Sequence, residues 1–154
     1  MAAQAWKIYA AAKNKIGKGT LTLNSGVFKM SLHRNSASGT ATSLSAISIW
    51  SSIVAEITAQ GGYAAGGKAV PAAYWTVGAS TLQMKFSYTT AGLVFTASGA
   101  ALNNIRYAVI RKSSGSTTSG FPVCYCSLSS AAFTISSPNT LTILPNSAGV
   151  FTLA

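Results

Sequence analysis

The sequence predicts a mainly β protein, an antiparallel β-sandwich of jelly-roll or immunoglobulin-like wiring carrying one or two short helices. Three observations support this. Apolar residues alternate with polar ones at a period of two in several short runs, turn residues recur at roughly eight- to twelve-residue spacing, and only two stretches carry a helical pattern. At 154 residues and 15.7 kDa the chain is long enough for one core.

From the N-terminus, residues 5–16 are apolar with Lys7, Lys13 and Lys15 interspersed, and Gly17-Lys18-Gly19 is a helix stop, so a short basic helix is expected. Phe28, Met30 and Leu32 alternate with Lys29, Ser31 and His33, which predicts a strand with one buried face and His33 on the other. Residues 35–43 read as a Ser/Gly/Thr loop. Leu44, Ile47, Trp50, Val54 and Ile57 then fall at three- and four-residue spacing, which predicts a helix over 44–59 with Thr42 or Ser43 as N-cap. Two glycine pairs, Gly61-Gly62 and Gly66-Gly67, mark a sharply shaped loop around Tyr63.

Strands are expected from Leu82 through Met84, Phe86 and Tyr88, again from Leu93 through Phe95 and Ala97, and from Ile105 through Tyr107 and Val109, the last ending at a basic tip, Arg111-Lys112. Residues 113–120 read as an exposed Ser/Gly/Thr loop. A strand opens at Pro122, another lies within 131–136, and Leu141 with Ile143 and then 150–153 complete the set, separated by turns at Pro138-Asn139 and Pro145-Asn146. Residues 1–18 are assigned to a basic N-terminal arm and 19–154 to a single sandwich domain.

Composition narrows function sharply. The chain has eleven Lys and Arg against one acid, Glu56, and a net charge of +10 with a pI near 10.0. Paired-carboxylate acid/base catalysis, Mg²⁺ or Ca²⁺ chelation, glycoside hydrolysis and Ser-His-Asp triads each need carboxylates that are not there. No catalytic residue is assigned and the chain is read as a non-enzyme without cofactor. Charged residues are only 8% of the whole, so the exterior must be built from Ser, Thr, Ala, Asn and Gly, a weakly hydrated surface suited to being covered by neighbours. The excess positive charge calls for a partner that is acidic on the facing side.

The remaining candidate chemistry is thin. His33, the only histidine, has no orienting carboxylate nearby in sequence and is expected to be an ordinary surface or interface residue. Cys124 and Cys126, two residues apart in a strand, share a face with poor geometry for a mutual bridge and are expected as reduced, buried hydrophobes; with His33 they give three donors where a closed zinc site needs four, so no metal site is assigned. The glycine loop lacks the Walker spacing and the Ser/Thr after Lys68. Trp50, Trp75 and Tyr74 could line a sugar-binding groove but fit a core better, with one of the adjacent pair Tyr74-Trp75 left exposed or covered by a partner. Lys7, Lys13, Lys15 and Lys18 crowd the first 18 positions and Arg106, Arg111 and Lys112 gather elsewhere, yet Tyr107 beside Arg106 is the one aromatic interleaved with basic residues in the strands and is expected on the opposite side, which argues against nucleic acid. The residues assigned to partner binding are Trp6, Lys7, Lys13, Lys15, Lys18, Arg106, Arg111 and Lys112. Neither a signal peptide nor a membrane span is read in the sequence.

The order of segments adds a resemblance. A basic N-terminal helix, residues 19–23 leading to Phe28-Lys29-Met30-Ser31-Leu32, a helix reaching Glu56-Ile57, the Gly62-Tyr63-x-x-Gly66-Gly67 loop, Val94-Phe95-Thr96-Ala97-Ser98-Gly99, Ile105-Arg106-Tyr107-Ala108-Val109-Ile110 and Pro122-Val123-Cys124-Tyr125 together resemble small virion structural proteins of tailed bacteriophages, the capsid decoration or cement proteins and related head components. The chain departs from that pattern where the usual acidic residues are Ser, Thr, Asn or Ala. The resemblance implies a β-rich virion protein without catalysis, assembled in the host cytoplasm, whose partners are the major capsid protein or other virion proteins and further copies of itself. The alternatives are a tail or fibre module binding phosphate-rich host glycans, or a basic nucleic-acid packaging protein.

Overall fold

Alternation of side chains decides most of the architecture. The computed structural model describes residues 4–35, 47, 53, 55–78, 83–115 and 120–153. Its elements in chain order are β1 (Lys7–Ile8), α1 (Ala10–Gly17), β2 (Phe28–Arg34), β3 (Lys68–Ala69), β4 (Tyr74–Val77), β5 (Met84–Ser87), β6 (Leu93–Thr96), β7 (Leu102–Ser113), β8 (Gly120–Ser127), β9 (Phe133–Ile135), β10 (Thr140–Ile143) and β11 (Phe151–Leu153). The fold is mainly β with antiparallel sheets and one short helix, sandwich-like as the sequence predicts.

The large sheet runs β1-β8-β7-β2-β3, with β9 also paired to β7. Two smaller sheets, β10-β6 and β11-β5-β4, complete the fold. Every strand pair is antiparallel. On one face of the large sheet Phe28, Met30, Leu32, Ala108, Ile110, Cys124 and Cys126 are buried. Phe28 meets Phe86 of β5 with ring centroids 5.0 Å apart, and Phe86 stacks on Phe151 of β11 at 5.3 Å, so aromatic contacts join the layers. Tyr88 fastens the β10 side by donating its hydroxyl to the Ile143 carbonyl at 2.8 Å. Trp75 packs toward Phe151 at 6.2 Å while its neighbour Tyr74 is 39% exposed, as adjacent strand positions require.

Several expectations are corrected. The N-terminal segment begins as a strand, not a helix: Lys7 pairs with Tyr125 and Ile8 with Cys124, and only from Ala10 does the chain turn helical. Within the segment assigned to a basic arm, Tyr9 and Ala12 are fully buried and the Tyr9 ring lies 5.3 Å from the Tyr125 ring. The helix expected over 44–59 falls largely outside the described residues. At its described end, however, the backbone is not helical: Ala55 has φ +63°, Glu56 bridges His33, and the Ile57 amide donates to the Leu32 carbonyl at 3.0 Å. Pairing with the edge of β2 overrides the helical spacing of the apolar residues there. β2 itself is buried on both faces, with Ser31 and His33 as inaccessible as Met30 and Leu32.

A bulge in β8 shapes the basic end of β7. Ile110 pairs with Cys124 but Arg111 with Pro122, leaving Val123 as the extra residue beside a proline that has no amide hydrogen for the ladder. The glycine loop is as tightly shaped as its composition suggests, with φ between +58° and +83° at Gly61, Gly62, Gly66 and Gly67. At Gly67 the β2 backbone passes so close that a Cβ would stand 2.1 Å from the Met30 carbonyl oxygen. Gly67→Ala should therefore lower stability by at least about 2 kcal/mol, combining backbone strain with a clash against a central strand. Urea denaturation of the variant beside the parent protein measures this, and an unchanged midpoint would refute it.

Candidate functional site

The only carboxylate of the chain lies at the centre of a polar cluster built between the glycine loop and the large sheet. The Glu56 Oε1 atom accepts the Tyr63 hydroxyl at 2.5 Å and the Gly66 amide at 2.8 Å. The Gly66 carbonyl accepts Arg111 Nη2 at 3.2 Å. Tyr63 in turn accepts the Leu32 amide at 3.1 Å, so the cluster is tied to the β2 backbone. Arg111 is 0% exposed. Burial lowers its pKa, and the charges of Glu56 and Tyr63 act against that shift. Burial, followed by the Glu56 charge, pushes the Tyr63 phenol well up. The expected basic tip at Arg111-Lys112 is thus corrected: β7 continues through Ser113, and Arg111 points into the protein.

His33 is corrected in the same way. It is fully buried, its Nε2 2.9 Å from the Ser31 hydroxyl, because the sheet places it between β7 and residues 55–57. Cys124 and Cys126 are free buried thiols. Burial raises both, Cys126 to about 12, where the Ala108 backbone amide partly opposes it. Among the described residues no three His, Cys, Asp or Glu side chains come together, and no helix is long and apolar enough to cross a membrane.

The cations assigned to partner binding differ in how they are held. Lys112 is half-buried and donates Nζ to the Thr22 carbonyl and hydroxyl at 2.7 and 2.6 Å, and Lys15 lies 4.9 Å from the Phe121 ring centroid. Lys7, Lys13, Lys15 and Lys18 are exposed. Trp6 is half-buried and borders three adjoining clefts. One of them, about 440 Å³, is lined by Trp6, Lys7, Ile8, Lys13, Phe151 and Thr152.

Lys7 also borders a second cleft with Arg106, about 250 Å³ in volume, whose walls include Gln4, Tyr107, Tyr125 and Ser130. The fold thereby joins cations that lie far apart in sequence. The Arg106 guanidinium folds back to 5.3 Å from the Tyr107 ring centroid, contrary to the expectation that the two point apart. Tyr107 and Tyr125 had no part in the sequence-based site. Their signal is the register alone, which sets Lys7 opposite Tyr125 and Tyr107 opposite Ser127.

A cleft lined by cations, tyrosines and hydroxyls can hold an anion, and the one acidic side chain, Glu56, is engaged elsewhere by Tyr63 and Gly66. Compared with protein families, with curated proteins and with solved structures, the chain finds no match in any of the three.

Glu56→Gln should cost about 3 kcal/mol, because it leaves the charge of Arg111 in a desolvated site without its opposite. Pairing it with Arg111→Met should restore much of the loss; a double-mutant cycle in urea showing strict additivity would contradict the coupling. Alkali provides a separate check. Cys126 has a raised folded pKa, so its stabilising contribution is complete below the unfolded value near 9.0 and is lost as pH climbs toward about 12. Tyr9, Tyr63 and Tyr88 are raised from 10.0 and act with the same sign at higher pH. Stability at about pH 10.5 should fall by about 2 kcal/mol relative to about pH 8 from Cys126 alone, as read from urea midpoints.

Proposed function

We propose that the protein is a non-enzymatic virion structural protein of a tailed phage, a decoration or cement protein that docks on the outside of an acidic head lattice, as an oligomer. The observation that carries this reading is the internal engagement of Glu56 by Tyr63 and Gly66, which leaves Lys7, Lys13 and Lys18 facing outward in a chain with no second acid. A surface of that kind is drawn to anionic partners and repels its own copies until a partner neutralises it. The ordered segments that resemble phage head proteins supply the virion setting, and the Ser/Thr/Ala-rich exterior suits burial against neighbours.

A second reading, a tail module for host glycans, is favoured by Trp6, which shares a cleft of about 480 Å³ with Gln4, Asn146 and Thr152, an aromatic plane among hydrogen-bonding side chains. It places the protein at the tail and predicts binding to isolated host envelope.

Truncation of residues 1–18 is a poor test, since it removes the buried Tyr9 and Ala12. Charge reversal of the exposed lysines is better. A chain carrying Lys7→Glu, Lys13→Glu, Lys15→Glu and Lys18→Glu, shown by circular dichroism to be folded, should be recovered in purified virions at less than about one-tenth of the parent level, since like charges at the interface cost several kcal/mol. Immunogold labelling of the parent should decorate heads. Equal incorporation of the reversed chain, or label confined to tails, would defeat the head-docking assignment.

A further inference from the structure

We infer that the two clefts flanking β1 form a docking groove for an extended acidic segment of a partner protein, with Lys7 and Arg106 as its paired carboxylate-binding cations. The inference rests on the proposal of an acidic protein partner and names where on this chain it would bind.

The site is assembled by register. Lys7 stands opposite Tyr125, Tyr125 opposite Val109, and two residues along β7 Tyr107 stands opposite Ser127, so these side chains share one face of the large sheet. Arg106 starts from the other face but is drawn over Tyr107 and donates Nη1 to Asn35 Oδ1. Those two contacts fix the guanidinium in advance. Its Nε is buried and has no acceptor among the described residues, so the guanidinium keeps unspent donor capacity at the wall of the cleft. Lys7 is exposed across the same cleft of about 250 Å³, and none of the described residues that line it is acidic. Carboxylate recognition by an oriented arginine with a lysine beside it needs little further ordering.

Two features favour a polypeptide over a nucleic acid. The rings of Tyr107 and Tyr125 are only 7% and 5% exposed, so they offer no face on which a base could stack. In addition, β1 is the last strand of its sheet, and its outer edge borders the cleft of about 440 Å³ that holds Trp6, Lys13 and Phe151. An edge strand can receive hydrogen bonds from an added strand, which a peptide backbone can supply and a phosphodiester chain cannot. Carboxylates spaced along such a segment would meet Lys7 with Arg106 on one side of β1 and Lys13 on the other.

The test uses the full-length protein and three probes at low salt: an oligo-glutamate peptide of about ten residues, an oligothymidylate of matched charge, and inorganic phosphate. The peptide should bind, with affinity weakened at least about tenfold by Lys7→Ala and by Arg106→Ala, and by less than about twofold by Lys68→Ala, an exposed lysine outside both clefts. Arg106→Lys, keeping the charge, guards against loss through misfolding and should still bind less tightly than the parent. Bound peptide should shift the amide resonances of Lys7 and Ile8. The assignment is overturned if Lys7→Ala and Arg106→Ala leave peptide affinity unchanged, or if the oligothymidylate or phosphate binds more tightly than the peptide through the same two residues. Peptide binding that depends on Lys7 and Arg106 in a protein absent from virions would remove the virion reading and leave the groove standing.

Discussion

The contact on which the structure turns is the clasp at Gly66, where one residue gives its amide to Glu56 and its carbonyl to Arg111. A fully buried guanidinium is costly to desolvate, and only an opposite charge with good hydrogen-bond geometry makes it tolerable. The chain has one carboxylate with which to do this. Its position therefore constrains the neighbourhood: the glycine loop must carry Gly66 to Glu56, residues 55–57 must run beside β2, and β7 must turn Arg111 inward. The left-handed backbone of the loop and the close passage of Gly67 over Met30 follow from that arrangement.

The strands were legible because period-two alternation is a direct consequence of strand geometry, and β2, β5, β6, β7 and β10 all show it. What escaped the sequence depended on distant partners. The spacing of Trp50, Val54 and Ile57 fits a helix, but an amide-carbonyl bond from Ile57 to Leu32 is invisible to any local pattern. His33 looked like a surface residue because its position alternates with apolar ones, a rule that fails when both faces of a strand are covered. Arg111 beside Lys112 looked like an exposed tip for a similar reason. Of the residues lining the proposed groove, Lys7 and Arg106 could be named from charge alone. Their convergence could not, since it depends on β1 and β7 both pairing with β8.

The same economy of charged groups shows in how the other cations are held. Lys112 and Lys15 are steadied by carbonyl, hydroxyl and ring contacts instead of ion pairs, Lys68 donates to the Val94 carbonyl at 2.9 Å, and Arg34 donates to the Thr58 hydroxyl at 2.5 Å. Such contacts orient a cation without cancelling its field. The aromatic bridge from Phe28 through Phe86 to Phe151 joins the layers, so attraction within the fold is mostly apolar while the field of the lysines and arginines is left uncancelled.

The sequestration of Glu56 has one more consequence. The chain has no second acidic side chain to set against its eleven lysines and arginines, so its exterior cannot alternate in sign from patch to patch. A surface of one sign carries little electrostatic information about orientation: the long-range pull toward an anionic body is much the same from every approach, and the angle of rest has to be settled at short range, by shape and by the spacing of the cations.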